Sequence, residues 1–343
     1  MPSTGDRLAF VSSRDGHQVF ELRGTISPDF YFNPMFSNRL TQAIREKCTP
    51  VLVGLDPRYD LLPPPLFQPE KNDPKTVAEA FETFCCGVID VVAPLVPAVK
   101  PQAAFFEQYG PEGMAALGRV IRYARQAGLL VVFDGKRNDI GSTAEAYAAG
   151  ILGAESPWQA DALTVSPYLG DDSLQPFVNV AERRGAGVFV LVKTSNPGGA
   201  MLQDLVVEGR PIYRRMAEYV ESLAVSSLTS GETKAYGAIG AVVGATWPRQ
   251  LEELREVMPH TWFLVPGYGS QGGTAKDVAA AFDADGLGAI INNSRGILFA
   301  YRNGGEKERF GPTRWQEAVD SATRRMIEEL KADTPAGALE KSS

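Results

Sequence analysis

The stretch Leu129-Leu130-Val131-Val132-Phe133-Asp134-Gly135-Lys136-Arg137-Asn138-Asp139-Ile140 decides how this chain is read. Its first five residues form an uninterrupted apolar run, the pattern of a strand covered on both faces in a parallel sheet. Asp134 and Lys136 follow, two apart as the strand runs out, so their side chains project to one side. Charges at a buried strand end are costly unless they pair or do chemistry. Asp139 lies three residues beyond Lys136 and need not face the same cavity within its own chain. Flanking carboxylates favour the charged form of an amine. The alternation of acid, lysine and acid therefore points to electrostatic catalysis. Schiff-base chemistry needs the opposite, a lysine of depressed pKa.

Similar runs recur along the chain at Val51–Leu55, Leu95–Val99, Ala162–Val165, Gly187–Val192, Ile239–Val243, Trp262–Val265 and Gly288–Ile291. Most are short, β-branched and continuously apolar. Helical segments fall between them. Asp73-Pro74 supplies an N-cap and a first-turn proline before Thr76–Val92. Gly110-Pro111 opens Glu112–Ala127, and Ser173–Arg184, Ile212–Leu223, Pro248–Val257 and Thr274–Phe282 follow in turn. Eight strands, each trailed by helix or loop, predict an α/β fold, a single (β/α)8 TIM barrel spanning residues 36–331. A doubly wound open sheet is the alternative, but no Gly-x-Gly-x-x-Gly follows the first strand. Phe36–Lys47 is expected to close the barrel's bottom and Pro312–Lys331 to form the last helix. Residues 1–35 read as an irregular arm and residues 332–343 as a disordered tail.

Composition narrows the functional classes. Hydrophobic residues make up 44% and charged residues 22%, as in a globular protein with a sizeable core. The formal charge is -7 and no basic tract stands out, so nucleic acid and anionic membranes are poor partners. Cys48, Cys85 and Cys86 form neither a disulfide framework nor a zinc pattern, which suits a reducing cytoplasm. The first residues lack a signal-peptide core and no 18-residue apolar span occurs, so a soluble, intracellular protein is expected. His17 lies in a polar stretch, and His260 precedes a strand, at the end opposite to where barrel sites form. Ser-His-Asp, Cys-His and His-metal chemistries are thereby largely excluded.

In a parallel barrel, function gathers at the carboxyl ends of the strands. These ends offer Asp56 after the first run, Lys100 after the second, and Asp134 and Lys136 after the third. Ser166-Pro167-Tyr168 follows the fourth and Lys193-Thr194-Ser195-Asn196-Pro197 the fifth. Pro266-Gly267-Tyr268-Gly269-Ser270-Gln271-Gly272-Gly273 follows the seventh, and Asn292-Asn293-Ser294-Arg295-Gly296 the eighth. The last two loops read as a phosphate site: glycines admit close approach of the backbone, Gln271 adds a donor, and Arg295 can grip two oxygens. Asp56 and Lys100 suit hydroxyl recognition and charge alternation, though either could serve only a structural ion pair. Thr194 and Ser195 could bond a flat polar ring or merely cap a turn.

With these pieces together, the sequence resembles the orotidine 5′-phosphate decarboxylases, most closely the longer bacterial type. The resemblance rests on Phe133-Asp134-Gly135-Lys136-Arg137-Asn138-Asp139-Ile140-Gly141-Ser142-Thr143, on Val53–Arg58, Val99–Glu107 and Thr194–Pro197, and on the two glycine- and arginine-bearing loops. It covers residues 36–330; the first 35 depart from the family pattern. It implies conversion of orotidine monophosphate to uridine monophosphate and CO2 in pyrimidine biosynthesis, without metal or other cofactor. It also implies a homodimer with shared sites. Lys100, Asp134, Lys136 and Asp139 would form a charged network in which Asp139 enters the neighbouring subunit's site. Ile140 and Thr143 would accompany it. Asp56 and Lys100 would bind ribose hydroxyls, Ser195 the pyrimidine edge with Thr194 as a possible helper, and Gln271 and Arg295 the phosphate. Two other readings compete. One is a magnesium-dependent decarboxylase of 3-keto-gulonate 6-phosphate type, which carries a glutamate ligand where Lys100 stands. The other is a non-catalytic barrel that binds nucleotide phosphates.

Overall fold

The computed structural model describes residues 34–228 and 236–339. The arm expected at residues 1–35 lies almost wholly outside the described residues, as does His17. Eight strands form one closed parallel barrel: β1 Val51–Leu55, β2 Ala98–Pro101, β3 Leu130–Arg137, β4 Ala162–Val165, β5 Gly187–Lys193, β6 Ile239–Val243, β7 Phe263–Val265 and β8 Ala289–Asn293. Each strand pairs with its neighbours in chain order, and β8 closes on β1 with Leu52 beside Asn292. All five β1 residues are buried, as a strand with side chains inside and helices outside must be. The predicted (β/α)8 barrel is what the chain forms.

The main helices are α1 Phe36–Lys47, α2 Pro74–Val92, α3 Gly110–Gln126, α4 Gly141–Leu152, α5 Asp171–Arg184, α6 Ile212–Ser226, α7 Pro248–Val257 and α8 Trp315–Asp333. Asp73 caps α2 by accepting from the Thr76 amide at 3.1 Å. Among the described residues, no helix is long and apolar enough to cross a membrane.

Several boundaries differ from the sequence reading, each for a local reason. Strand β2 starts at Ala98 rather than Leu95. The amides of Leu95 and Val96 both bond to the Val92 carbonyl, closing a turn after α2, and Pro97 has no amide to give. Strand β3 does not stop at Phe133 but carries Asp134 and Lys136 within it as far as Arg137. The helix expected over Thr274–Phe282 is a single turn, Ala275–Val278, capped reciprocally by Thr274 and Asp277, and passes into a 3-10 turn. The tail expected to be disordered from residue 332 is ordered to Leu339. There α8 ends at Asp333, a 3-10 turn covers Pro335–Ala338, and Ala336 and Leu339 are buried against the turn at Gly286.

Helix α1 plugs the amino-terminal end of the barrel, as expected. Phe36 is buried and meets the Phe189 ring edge-on at 5.9 Å. Its ring occupies the space where a Cβ at Gly187 would fall, only 2.3 Å away. Arg39 reaches from α1 to the carboxylate of Asp161, whose other oxygen accepts from the Val131 amide at 2.9 Å. His260 sits at this end too, its ring Nδ1 2.6 Å from Glu221, far from the strand carboxyl ends. Because the plug and the strand ends lie at opposite mouths, stability and chemistry are separable. Phe36→Ala is expected to cost roughly 3–5 kcal/mol in denaturant unfolding, with turnover by the folded fraction within twofold of the parent.

Candidate active site

A cavity of about 400 Å³ opens at the carboxyl ends of the strands. Its wall includes Asp56, Lys100, Asp134, Lys136, Ser195, Gln271 and Arg295, so seven of the residues expected at the site converge. Asp139, Ile140 and Thr143 do not. Asp139 accepts from the Ile140 amide at 2.9 Å, Ile140 is 56% exposed, and Thr143 sits exposed in the first turn of α4. None of the three lines its own chain's cavity.

Asp134 is the centre of the arrangement. Its side chain is almost fully enclosed, and each carboxylate oxygen takes two donors. Oδ2 accepts from Lys100 Nζ at 2.5 Å and from Gln102 Nε2 at 3.0 Å. Oδ1 accepts from Lys136 Nζ at 2.7 Å and from Thr164 Oγ1 at 2.8 Å. Burial opposes ionisation of this carboxyl, but the two ammonium groups outweigh it and hold Asp134 far below the usual carboxylate range. Lys100 is buried as well. Desolvation works against its charge, and Asp134 and Asp56 overcome that and raise its pKa.

Lys136 differs from Lys100 in exposure: 47% of its side chain is accessible against 4% for Lys100. It also holds a φ of +44°, rare for a residue with a Cβ. The cause is a register break. Phe133 pairs with Leu163 and Arg137 with Val165, so three residues of β3 face one residue of β4. The bulge turns Lys136 back toward the barrel axis, where its ammonium meets Asp134.

Asp56 follows β1 directly and lies in the cavity wall. Burial pushes its carboxyl up, against the pull of Lys100 and of the Ser294 hydroxyl, and Oδ1 has no partner among the described residues. At the far side, the loop after β7 folds back on itself, with Gly269 N bonding Gly273 O at 2.8 Å. Gly267 has a φ of +100° and packs so closely on Ser195 that a Cβ would lie 3.3 Å from that side chain. Arg295 is exposed at the cavity mouth, and no carboxylate among the described residues is within ion-pair distance of it. Ser195 is fixed through its carbonyl, which accepts from Thr246 Oγ1 at 2.9 Å. Thr194 is occupied elsewhere. Its amide bonds Gln203 Oε1 at 3.0 Å, and its hydroxyl accepts from Gln203 Nε2 at 2.8 Å. This leaves Ser195 as the freer hydroxyl. Lys193, another strand-end residue, is fully buried, ion-paired to Asp204 and packed on Trp247, so it braces the loop after β5.

Two residues of this network were not singled out by sequence. Gln102 lies two positions after Lys100, just past β2, and that spacing was the available signal. Thr164 is the one polar residue in the run Ala162-Leu163-Thr164-Val165, a hydroxyl in a strand otherwise made for the core.

Comparison with known proteins agrees with this geometry. The family model described as orotidine 5′-phosphate decarboxylase / HUMPS family matches residues 49–309. The orotidine 5′-phosphate decarboxylase of Rhodopirellula baltica is 56% identical over 301 residues, covering 86% of this chain and 99% of the relative. That of Caldicellulosiruptor bescii is 39% identical over 280 residues, covering 78% and 90%. Among solved structures, Leishmania donovani OMP decarboxylase superimposes with a TM-score of 0.67 at 36% identity, over 87% of this chain and 98% of its own. Leishmania donovani UMP synthase gives 0.69 at 38% identity over 88% of this chain, which spans 56% of that longer protein. With the barrel, the buried acid between two lysines and these relatives in agreement, the chain belongs to the orotidine 5′-phosphate decarboxylase / HUMPS family and is a carboxy-lyase.

Proposed function

We propose that the chain decarboxylates orotidine 5′-monophosphate to uridine 5′-monophosphate without metal or organic cofactor, as a homodimer with shared sites, in cytoplasmic pyrimidine biosynthesis. The observation that carries this reading is the ionised Asp134 clamped between Lys100 and Lys136 in the wall of the cavity. Loss of CO2 breaks the bond from C6 to its carboxyl carbon and leaves the electron pair on C6. The Lys136 ammonium stabilises that charge and then gives a proton to C6, and solvent restores the lysine. Asp134 keeps the ammonium aimed, and Lys100 keeps Asp134 ionised.

The remaining roles follow the chemistry of each position. Asp56 and Lys100 take ribose hydroxyls, and Ser195 takes the pyrimidine edge. Gln271, Arg295 and the glycine loop take the phosphate, whose binding energy positions the distant reacting carbon. Asp139, Ile140 and Thr143 do not line their own cavity, which suits delivery into the neighbouring subunit's site, with Asp139 as the second acid beside Lys136.

The magnesium-dependent alternative fits the side chains poorly. All four lone-pair positions of Asp134 already accept hydrogen bonds, and Lys100 brings a positive charge to 2.5 Å from it. The non-catalytic alternative leaves a costly buried charge array without a task.

Purified protein should consume orotidine monophosphate in an ultraviolet assay, and Lys136→Ala should lower kcat at least about a thousandfold while the circular dichroism spectrum is kept. A folded parent that binds uridine monophosphate but shows no turnover returns the chain to the binding class. Mixing inactive Lys136→Ala with inactive Asp139→Ala should restore part of the activity, because hybrid dimers contain one intact site. Absence of rescue after verified subunit exchange removes Asp139 from the shared site.

The buried acids give opposite dependences on pH. The lowered pKa of Asp134 means its contribution is full above the ordinary aspartate value of 3.8 and is lost as pH falls toward its folded value. The raised pKa of Asp56 means the folded state holds its proton longer, so this group costs stability as pH rises above 3.8. Asp56→Asn is therefore expected to melt higher than the parent at pH 7, with the gap closing toward pH 4. Asp134→Asn should melt lower at pH 7. Both orders are checked by thermal unfolding across pH.

A further inference from the structure

We infer that Thr164, which lines the cavity but is only 1% exposed, is a positioning residue for the decarboxylation that acts through Asp134 and Lys136. This inference rests on the reading given under Proposed function. Across the β3–β4 register break, Thr164 is the single β4 residue facing Asp134, Gly135 and Lys136. A bulge leaves the ladder locally without backbone partners, so each freed amide must find another acceptor. The Lys136 amide finds Thr164 Oγ1 at 3.0 Å. The same hydroxyl gives its one hydrogen to Asp134 Oδ1 at 2.8 Å.

The direction of both bonds is fixed by chemistry. An amide can only donate and an ionised carboxylate can only accept, so the hydroxyl between them must accept from one and donate to the other. The Lys136 ammonium completes a ring by donating to the same Asp134 oxygen at 2.7 Å. The Lys136 ammonium reaches Asp134 Oδ1 directly and its amide reaches it through the hydroxyl of Thr164, a β-branched residue that is 1% exposed. That ring holds Lys136 at a φ of +44°, where few residues with a Cβ settle unaided. Gln102 has no comparable reach, since it bonds only the opposite oxygen.

The consequence is separable from binding. Removing the hydroxyl leaves the Lys136 amide without its acceptor and Asp134 Oδ1 with one donor fewer, while the ribose- and phosphate-facing groups are untouched. Thr164→Val keeps the shape and removes the hydroxyl, and Thr164→Ser keeps the hydroxyl and removes the methyl. Thr164→Val should lower kcat about 10- to 100-fold, with the dissociation constant for uridine monophosphate within threefold of the parent. Thr164→Ser should stay within about threefold of the parent in both. Thr164→Ala substitutes for the valine variant if that protein fails to fold, with the same expected loss. Parent-like kcat in the folded valine or alanine variant overturns the inference. So does a serine variant as impaired as valine, which would trace the effect to methyl packing. A parent that releases no CO2 refutes the functional reading instead, a result independent of any change at Thr164.

Discussion

A carboxylate held inside a protein sets terms for everything around it. Asp134 is 5% exposed, and an ionised acid so placed is tolerated only when its lone pairs are met and its charge is matched. Two ammonium groups, one amide and one hydroxyl meet them, from β2, β3 and β4. Removing the enclosed Lys100 from such a buried pair is expected to cost about 3–5 kcal/mol, because the charge left behind has lost its compensation. The three neighbouring strands therefore have to end at mutually consistent heights. The barrel supplies that consistency through its register: Gly54 stands beside Lys100, and Gln102 bridges to Asp134.

The register alone would not bring Lys136 to Asp134 with the geometry seen. Regular pleating puts both side chains on one face but spaces them along the strand. The extra residues in β3 compress that spacing and turn Lys136 into the left-handed region, so that an i, i+2 pair becomes a 2.7 Å ion pair. Strain of this kind persists only where the surroundings fix it, and here the fixing groups are the members of the charged network themselves. Local backbone cost and site chemistry are the same feature described at two scales.

The barrel and most of the cavity wall were legible in the chain because both follow from short-range rules. Val51–Leu55, Ala162–Val165 and Ile239–Val243 were bounded correctly at both ends, as continuous apolar runs between turn residues. Reading the residue after each run led to Asp56, Asp134, Lys136, Gln271 and Arg295. Where the reading slipped, a three-dimensional constraint had overruled the local pattern. Leu95 and Val96 look like strand but close a turn on Val92. The charges of Asp134 and Lys136 look like a strand end but belong to the strand, because a buried partner network makes charge acceptable there. Thr164 could not be weighed by sequence at all, since its importance comes from standing opposite a bulge, and a bulge is a relation between two strands. The ordered turn at Pro335–Ala338 was hidden for the same reason: its partner is Gly286, some fifty residues away in the chain.

The two lysines share one carboxylate but not one environment, and that asymmetry divides their work. Lys100 is enclosed and flanked by Asp134 and Asp56, so its charge is held in place between them. The Lys136 ammonium keeps one hydrogen bond to the network and leaves nearly half its side chain open to the cavity mouth. In water an ammonium is well screened, and its effect on a developing negative charge a few ångströms away is small. On the proposed function, a substrate seated against it and held remotely through Gln271 and Arg295 displaces that water and lowers the local dielectric. The same charge then acts several times more strongly without moving. On the proposed function, the open mouth over Lys136 is the place that substrate and the neighbouring subunit's Asp139, Ile140 and Thr143 fill together. Binding then completes the desolvation that a single chain leaves half done.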